Sequence, residues 1–156
     1  MKVILASKNQ HKLTELSAIL SGLGFEIALE SEYGLDIDVD ETGTTFEENS
    51  LLKAEAVMKA SGMPVLADDS GLMVDALDGA PGVHSARYAS DGHDFAANNR
   101  LLLRNLEGVA NRRARFRTVI SLLVGDEEHL FEGVVEGRIV ERESGAEGFG
   151  YDPLFV

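Results

Sequence analysis

Cysteine is absent from this 156-residue chain, which excludes disulfides and any thiolate metal centre. No apolar run is long enough to span a bilayer, and residues 1–6 read as a short strand, not as the core of a signal peptide. A cytoplasmic location with no membrane partner is therefore expected. Positive charge is scarce. Fourteen Lys and Arg stand against 27 Asp and Glu, a formal net charge of −13. Such a field repels a nucleic-acid backbone, so no nucleic-acid polymer is expected as a partner. A small anion stays compatible, because local lysines and a bound metal override the global field. The four histidines (His11, His84, His93 and His129) have no ligand spacing, which argues against zinc. What remains is an ordinary globular composition, 44% hydrophobic and 26% charged. The length suits one domain over residues 1–156 with a real core.

Strand and helix patterns alternate. MKVILA (1–6) is a short apolar strand. Leu13, Leu16, Leu20 and Leu23 recur at helical spacing, and Gly22 and Gly24 close that helix. FEIALE (25–30) reads as a second strand, and 33–44 as an acidic, turn-like stretch. Thr45 with Glu48 forms a capping box that opens a helix running to about Ser61, stopped by Gly62 and Pro64. PVLADD (64–69) is a strand, and LMVDAL (72–77) a further one after a Ser70-Gly71 turn. Residues 78–89 are irregular, 93–107 make a third helix, and 114–125 with 129–142 form a hairpin around Gly125-Asp126. GAEGFGYDPLFV (145–156) is a glycine loop leading into a final strand. Early βα units with a late hairpin predict an α/β fold with a mixed central sheet flanked by helices.

Four segments carry candidate chemistry. The turn Ser7-Lys8-Asn9-Gln10-His11-Lys12 joins the first strand to the first helix, where backbone amides and side-chain donors suit a phosphate chain. The alternative there is plain capping by Ser7 or Asn9 with a solvated Lys12. It lacks the glycines of a Walker A loop. In the second helix Phe46, Asn49 and Lys53 share a stripe, and Glu41 lies one turn of chain before the cap. Lys53 either reaches into a cleft or is solvated, and Glu41 is either a ligand or one more carboxylate beside Asp36, Asp38 and Asp40. Asp68 and Asp69 end an apolar strand, where α/β sheets line their ligand crevice. Carboxylates there bind a hard cation such as Mg²⁺ and deprotonate a water. Adjacent strand residues face opposite sides, so only one of the two need face the cleft. Strand-end turn residues are the alternative. Finally, in Gly148-Phe149-Gly150-Tyr151-Asp152 the glycines free Phe149 to stack on a flat base, and Asp152 can meet a base edge. A turn with a core-packed aromatic is the alternative. Arg113, Arg115 and Arg117 alternate along one strand and read as charges that protect a sheet edge.

In order along the chain, SKNQHK (7–12), ETGTTFEENSLLKA (41–54), LADDSGL (66–72), GAPGVHSARYA (79–89) and GFGYDPLF (148–155) resemble the inosine triphosphate pyrophosphatase family over residues 1–156. The resemblance implies a two-lobed fold around a nucleotide cleft, a homodimer and magnesium. It implies cleansing of the nucleotide pool by hydrolysis of ITP, dITP or XTP to the monophosphate and pyrophosphate. By position, residues 7–12 and Lys53 would hold the triphosphate. Glu41 would bind magnesium together with Asp69, the general base, and Asp68 beside it. Ser70 would touch substrate, and Phe149, Gly150, Tyr151 and Asp152 would form the base-binding segment. Family members usually continue through a further segment bearing a lysine and a Ser-His-Arg motif, which is expected to be missing from residues 1–156. A related Maf-like pyrophosphatase with another base preference and a non-catalytic nucleotide-binding module are the rival readings.

Overall fold

A computed structural model describes residues 1–90, 94–142, 151 and 154–156. The elements are β1 (Lys2–Leu5), α1 (Gln10–Leu20), β2 (Glu26–Leu29), α2 (Phe46–Ser61), β3 (Val65–Val74), α3 (Phe95–Asn105), β4 (Arg113–Val124) and β5 (Glu127–Arg138), with short 3₁₀ turns among them. The strands hydrogen-bond in the order β2-β1-β3-β4-β5. β1 runs parallel to both neighbours, with Leu5 opposite Leu29 in β2 and Leu66 in β3. β4 and β5 are joined by Gly125-Asp126, a connection short enough only for an antiparallel hairpin, and Gly125 takes the left-handed conformation the turn requires (φ 56°). The mixed sheet expected from the sequence is thus present.

The chain forms two compact units. The first comprises Met1–Asp69 and Val119–Glu132. Its strands are apolar on both faces, and period-two alternation sorts the side chains into two cores. Ile4, Ala6, Val65 and Ala67 pack against Ala54 and Val57 of α2. Val3, Leu5, Leu29 and Leu66 pack against the half-buried Leu13, Leu16 and Leu20 of α1. The α1 side is incompletely filled. A groove of about 390 Å³ remains, lined wholly by apolar side chains including Leu16, Ile19, Ile120, Leu122 and Phe131. Ile19 and Phe131 are 67% and 56% exposed. The second unit, Ser70–Thr118 with Gly133–Val156, packs Leu72, Val74, Leu102, Leu106, Ile139 and Leu154 around Tyr151.

Both ends of α2 match the sequence signals. Thr45 accepts the Glu48 N–H at 3.1 Å, although the Glu48 carboxylate takes the Thr44 N–H and not that of Thr45, and Gly62 closes the helix in the left-handed region. Other expectations change. Ser70-Gly71 is not a turn: β3 runs straight through it, because Leu72 and Val74 beyond it are both fully buried and continue the strand. The arginines of β4 do not guard an edge, since β4 lies between β3 and β5. Arg115 instead pairs with Asp75 at 2.9 Å and with Glu136 of β5 at 3.0 Å. The acidic stretch 33–44 is irregular, yet Leu35 and Ile37 pack on the α2-side core. Of the final strand expected in 145–156, the described residues contain a single bridge, Phe155 with Ile139.

Candidate functional site

The candidate residues of the first unit converge at the C-terminal ends of two parallel strands. Ala6, just past β1, donates its N–H to Leu66 of β3 at 2.8 Å, so the turn after β1 lies beside Asp68 and Asp69. In that turn Ser7 accepts the Asn9 N–H at 3.0 Å. Asn9 caps α1, accepting from the His11 and Lys12 amides at 2.9 and 3.4 Å. The capping alternative is therefore realised by Ser7 and Asn9, but Lys12 is only partly exposed and ion-paired. Its ammonium sits 2.8 Å from the Asp68 carboxylate. Lys8 is exposed between Asp36 at 2.6 Å and Asp38 at 3.2 Å. Exposed His11 pairs with Glu15, and Gln10 is exposed at the first helical position.

The pleat of β3 separates its two aspartates. Asp68 continues the face of Leu66 and meets Lys12 of α1. Asp69 continues the face of Val65 and Ala67 and points toward α2. There Lys53 lies 3.9 Å from Asp69 and 2.9 Å from Glu41, and it also donates to the Asp68 carbonyl. One ammonium thus links the loop carboxylate to the strand-end carboxylate. Phe46, on the same helical stripe, is buried at 3% and belongs to the core.

Asn49, one turn before Lys53, is the residue to which sequence reasoning assigned no role. It is 2% exposed. Its Oδ1 accepts the Gly43 N–H at 2.8 Å. The only signal in the sequence was its place on the stripe with Lys53. Beside it, the Glu48 carboxylate accepts the Thr44 N–H at 3.0 Å. A Cβ at Gly43 would fall 2.6 Å from Glu48 Cβ and 2.7 Å from Asn49 Oδ1, so the loop approaches α2 this closely only with glycine there.

Burial raises the Asp69 pKa to about 6. Lys53 and the nearby Asn49 amide oppose that rise, while Glu41 and Asp68 add to it. Asp69 Oδ2 is buried without a hydrogen-bond partner among the described residues, an arrangement that leaves it an open acceptor. With both lysines and all three carboxylates ionised the cluster carries one net negative charge, and a divalent cation would reverse that sign. Among the described residues no three His, Asp or Glu side chains are grouped to hold a metal. Asp68 meets Lys12 on the α1 side of the strand, while Glu41 and Asp69 share Lys53 on the α2 side and are the donors near one another. Two hard carboxylates with one unsatisfied oxygen fit magnesium, which is commonly held by one or two carboxylates together with substrate phosphates.

Ser70 begins the second unit and is exposed. Tyr151 is buried there at 2%. Its hydroxyl donates to the Ser85 carbonyl at 2.7 Å, and its ring meets Phe95 edge to face. Phe149, Gly150 and Asp152 lie outside the described residues.

The sequence profile of the Ham1 family matches residues 3–156. A dITP/XTP pyrophosphatase of Listeria monocytogenes is 49% identical over 157 aligned residues, which cover 99% of this chain and 77% of that protein. One from Porphyromonas gingivalis is 50% identical, with 99% and 80% covered. Among solved structures, the Ham1 protein of Staphylococcus aureus superposes with a TM-score of 0.92 at 45% identity, covering 99% of this chain and 80% of that one. A HAM1 protein from Coxiella burnetii gives 0.93 at 39% identity, covering 99% and 81%.

Proposed function

The chain belongs to the Ham1 family, and from that membership we propose that it hydrolyses non-standard purine nucleoside triphosphates (ITP, dITP and XTP) to the monophosphate and pyrophosphate. The enzyme is a hydrolase that cleanses the nucleotide pool. The observation that carries this reading is Asp69. Its buried Oδ2 has no partner among the described residues, and its pKa of about 6 keeps it ionised at neutral pH while close enough to take up a proton. That is what a general base requires.

Asp69 takes the proton from a water whose oxygen bonds to phosphorus. The bond between the α and β phosphates breaks, and its electron pair leaves on pyrophosphate. Lys12 and Lys53 supply point charges for phosphate oxygens, exchanging part of their pairing with Asp68 and Glu41 for the incoming anion. The capped turn at residues 7–12 sets Lys12 at the phosphate chain. Glu41 and Asp69 would hold Mg²⁺, whose charge would neutralise the triphosphate, and Asp68 supports the site by holding Lys12. Ser70 and the 149–152 segment complete the substrate contacts, with Phe149 stacking on the base and Asp152 at its edge. Tyr151, the one described residue of that segment, is buried in the core of the second unit.

Cytoplasmic residence, a homodimeric state and the lack of a nucleic-acid or membrane partner belong to the same proposal. The homodimer and the cytoplasmic location follow from the family resemblance alone; the net charge of −13 disfavours a nucleic-acid partner, and no described helix is long and apolar enough to cross a membrane. The test is pyrophosphate release from ITP, dITP and XTP beside ATP and GTP, with magnesium or with excess EDTA. Magnesium-dependent release favouring the non-standard purines is expected. Release unaffected by EDTA would remove the metal, and release favouring ATP or GTP would remove the substrate assignment.

A further inference from the structure

We infer that Arg87 is a further substrate-binding residue, one that takes a phosphate group of the nucleotide. The inference rests on the function proposed above, and it gives a role to the GAPGVHSARYA segment (79–89) that the function left without one. Its basis is a charge that lacks a counter-charge. Among the described residues the partly buried Lys and Arg side chains are Lys12, Lys53, Arg87, Arg112, Arg115 and Arg117. Lys12 pairs with Asp68, Lys53 with Glu41, and Arg115 with Asp75 and Glu136. Arg112 donates to the Val109 carbonyl at 3.1 Å, and Arg117 is also engaged. Arg87 alone of this set has neither a hydrogen bond nor an ion pair among the described residues. The chain has 27 Asp and Glu to offer, yet no described one meets this guanidinium. Drawing a charge partly out of water without a partner costs free energy, and a bound anion recovers it.

The backbone that carries Arg87 is fastened on both sides by its own unit. Asn98 of α3 is fully buried. Its Oδ1 accepts the Ala89 N–H at 2.7 Å, and its Nδ2 donates to the carbonyls of Ala86 at 3.0 Å and Ser85 at 3.4 Å. The Ser85 hydroxyl donates to the Gly82 carbonyl at 2.6 Å and accepts the Leu72 N–H at 2.9 Å. Asn105 donates to the Tyr88 hydroxyl at 2.6 Å. Buried polar groups thus fix residues 85–89, while the Arg87 side chain among them is fixed by nothing. A long side chain on a fixed backbone has less freedom left to lose when a ligand arrives. The same bonds place the turn within the second unit. Leu72 lies two residues beyond Ser70, and the Ser85 carbonyl also accepts the Tyr151 hydroxyl at 2.7 Å. The turn bearing Arg87 is thereby bonded to the strand just past Ser70 and to Tyr151, the two described residues of this unit given to the substrate. A guanidinium fork matches two phosphate oxygens. A base edge offers acceptors but no counter-charge, whereas the phosphate chain offers both.

The test compares Arg87→Ala and Arg87→Lys with Arg100→Ala, which removes an exposed arginine of α3. Binding of inorganic tripolyphosphate to the whole chain is measured by calorimetry in magnesium buffer. KM and kcat for ITP and a melting curve are recorded for each protein. Arg87→Ala is expected to weaken tripolyphosphate binding and to raise KM by about 10- to 100-fold, the scale of one lost hydrogen-bonded charge. Its kcat should stay within about threefold of wild type, as for a contact made equally before and during reaction. Its melting temperature should match or exceed that of the wild type, because no bond within the fold is lost. Arg87→Lys keeps the charge without the fork and should recover part of the loss. Arg100→Ala should leave every value in place. Wild-type tripolyphosphate affinity in Arg87→Ala would overturn the inference, and with a raised KM it would assign Arg87 to the base or sugar. Equal losses in Arg87→Ala and Arg100→Ala would reduce the effect to general charge, and a loss coupled to a lower melting temperature would assign Arg87 to the fold. A wild-type chain that binds tripolyphosphate through Arg87 but releases no pyrophosphate from ITP would sink the proposed reaction and leave the phosphate contact standing. A wild-type chain that turns over ITP without binding tripolyphosphate would end the inference and leave the reaction standing.

Discussion

At the scale of single residues, the proposed base is held at a cost to the fold. Burial gives Asp69 a folded pKa of about 6 against an ordinary 3.8, so the folded chain binds this proton more tightly than the unfolded one. The stabilisation from protonation is full below about pH 3.8 and is lost as pH rises through about 6. At pH 8 the ionised carboxylate works against folding. In magnesium-free buffer at pH 8, Asp69→Asn should raise stability by roughly 2 kcal/mol, a shift of several degrees in Tm for a chain of this size. The same variant should lower kcat at least about 10²-fold. Activity of the wild type should fall on the acid side, at a pH below about 6 because a bound cation favours the ionised carboxylate. Thermal melts of both proteins and a kcat/KM profile from pH 5 to 8 check these points. A variant that melts lower at pH 8, or turns over normally, would contradict the role given to Asp69.

At the scale of elements, α2 carries the most. Its cap, its length and its Gly62 stop are all legible in the sequence, because capping chemistry is local and spans three or four residues. The split of Asp68 from Asp69 is legible too, since it follows from the period of a strand. What those carboxylates meet is not. Lys12 and Asp68 lie 56 residues apart, and nothing local states that the pleat aims Asp68 at α1 and Asp69 at α2. Asn49 shows the same limit: its stripe is visible, but its partner, the Gly43 N–H, comes from a loop before the helix. Ser70-Gly71 misled in the other direction. A turn-forming pair was overridden by the burial of Leu72 and Val74, as tertiary packing overrides propensity. For α2 itself, Thr45→Ala removes the acceptor for the Glu48 N–H and should cost about 1 kcal/mol, read as a drop of about 2–4 °C in Tm. An unchanged Tm would mean that Glu48 and Asn49 hold the helix start without the cap.

At the scale of the whole molecule, 27 acidic residues leave the lysines at the strand ends as a local exception in a negative field. The sequence shows that imbalance directly, along with the α/β class. It does not show which apolar faces find a partner, because hydrophobic periodicity marks a face without naming what covers it. The groove between α1 and the C-terminal part of β4 is the case in point, with Ile19 and Phe131 at its rim. Apolar surface left in water adds nothing to the heat capacity change when the chain unfolds, for it is hydrated before and after. A typical chain of 156 residues gains about 2 kcal/mol/K on unfolding. Scanning calorimetry on this one should find a smaller increment and, with it, a flatter stability curve that loses less on cooling. The same wet groove should take up an environment-sensitive dye while the protein is native, so that fluorescence is already high before any melting begins.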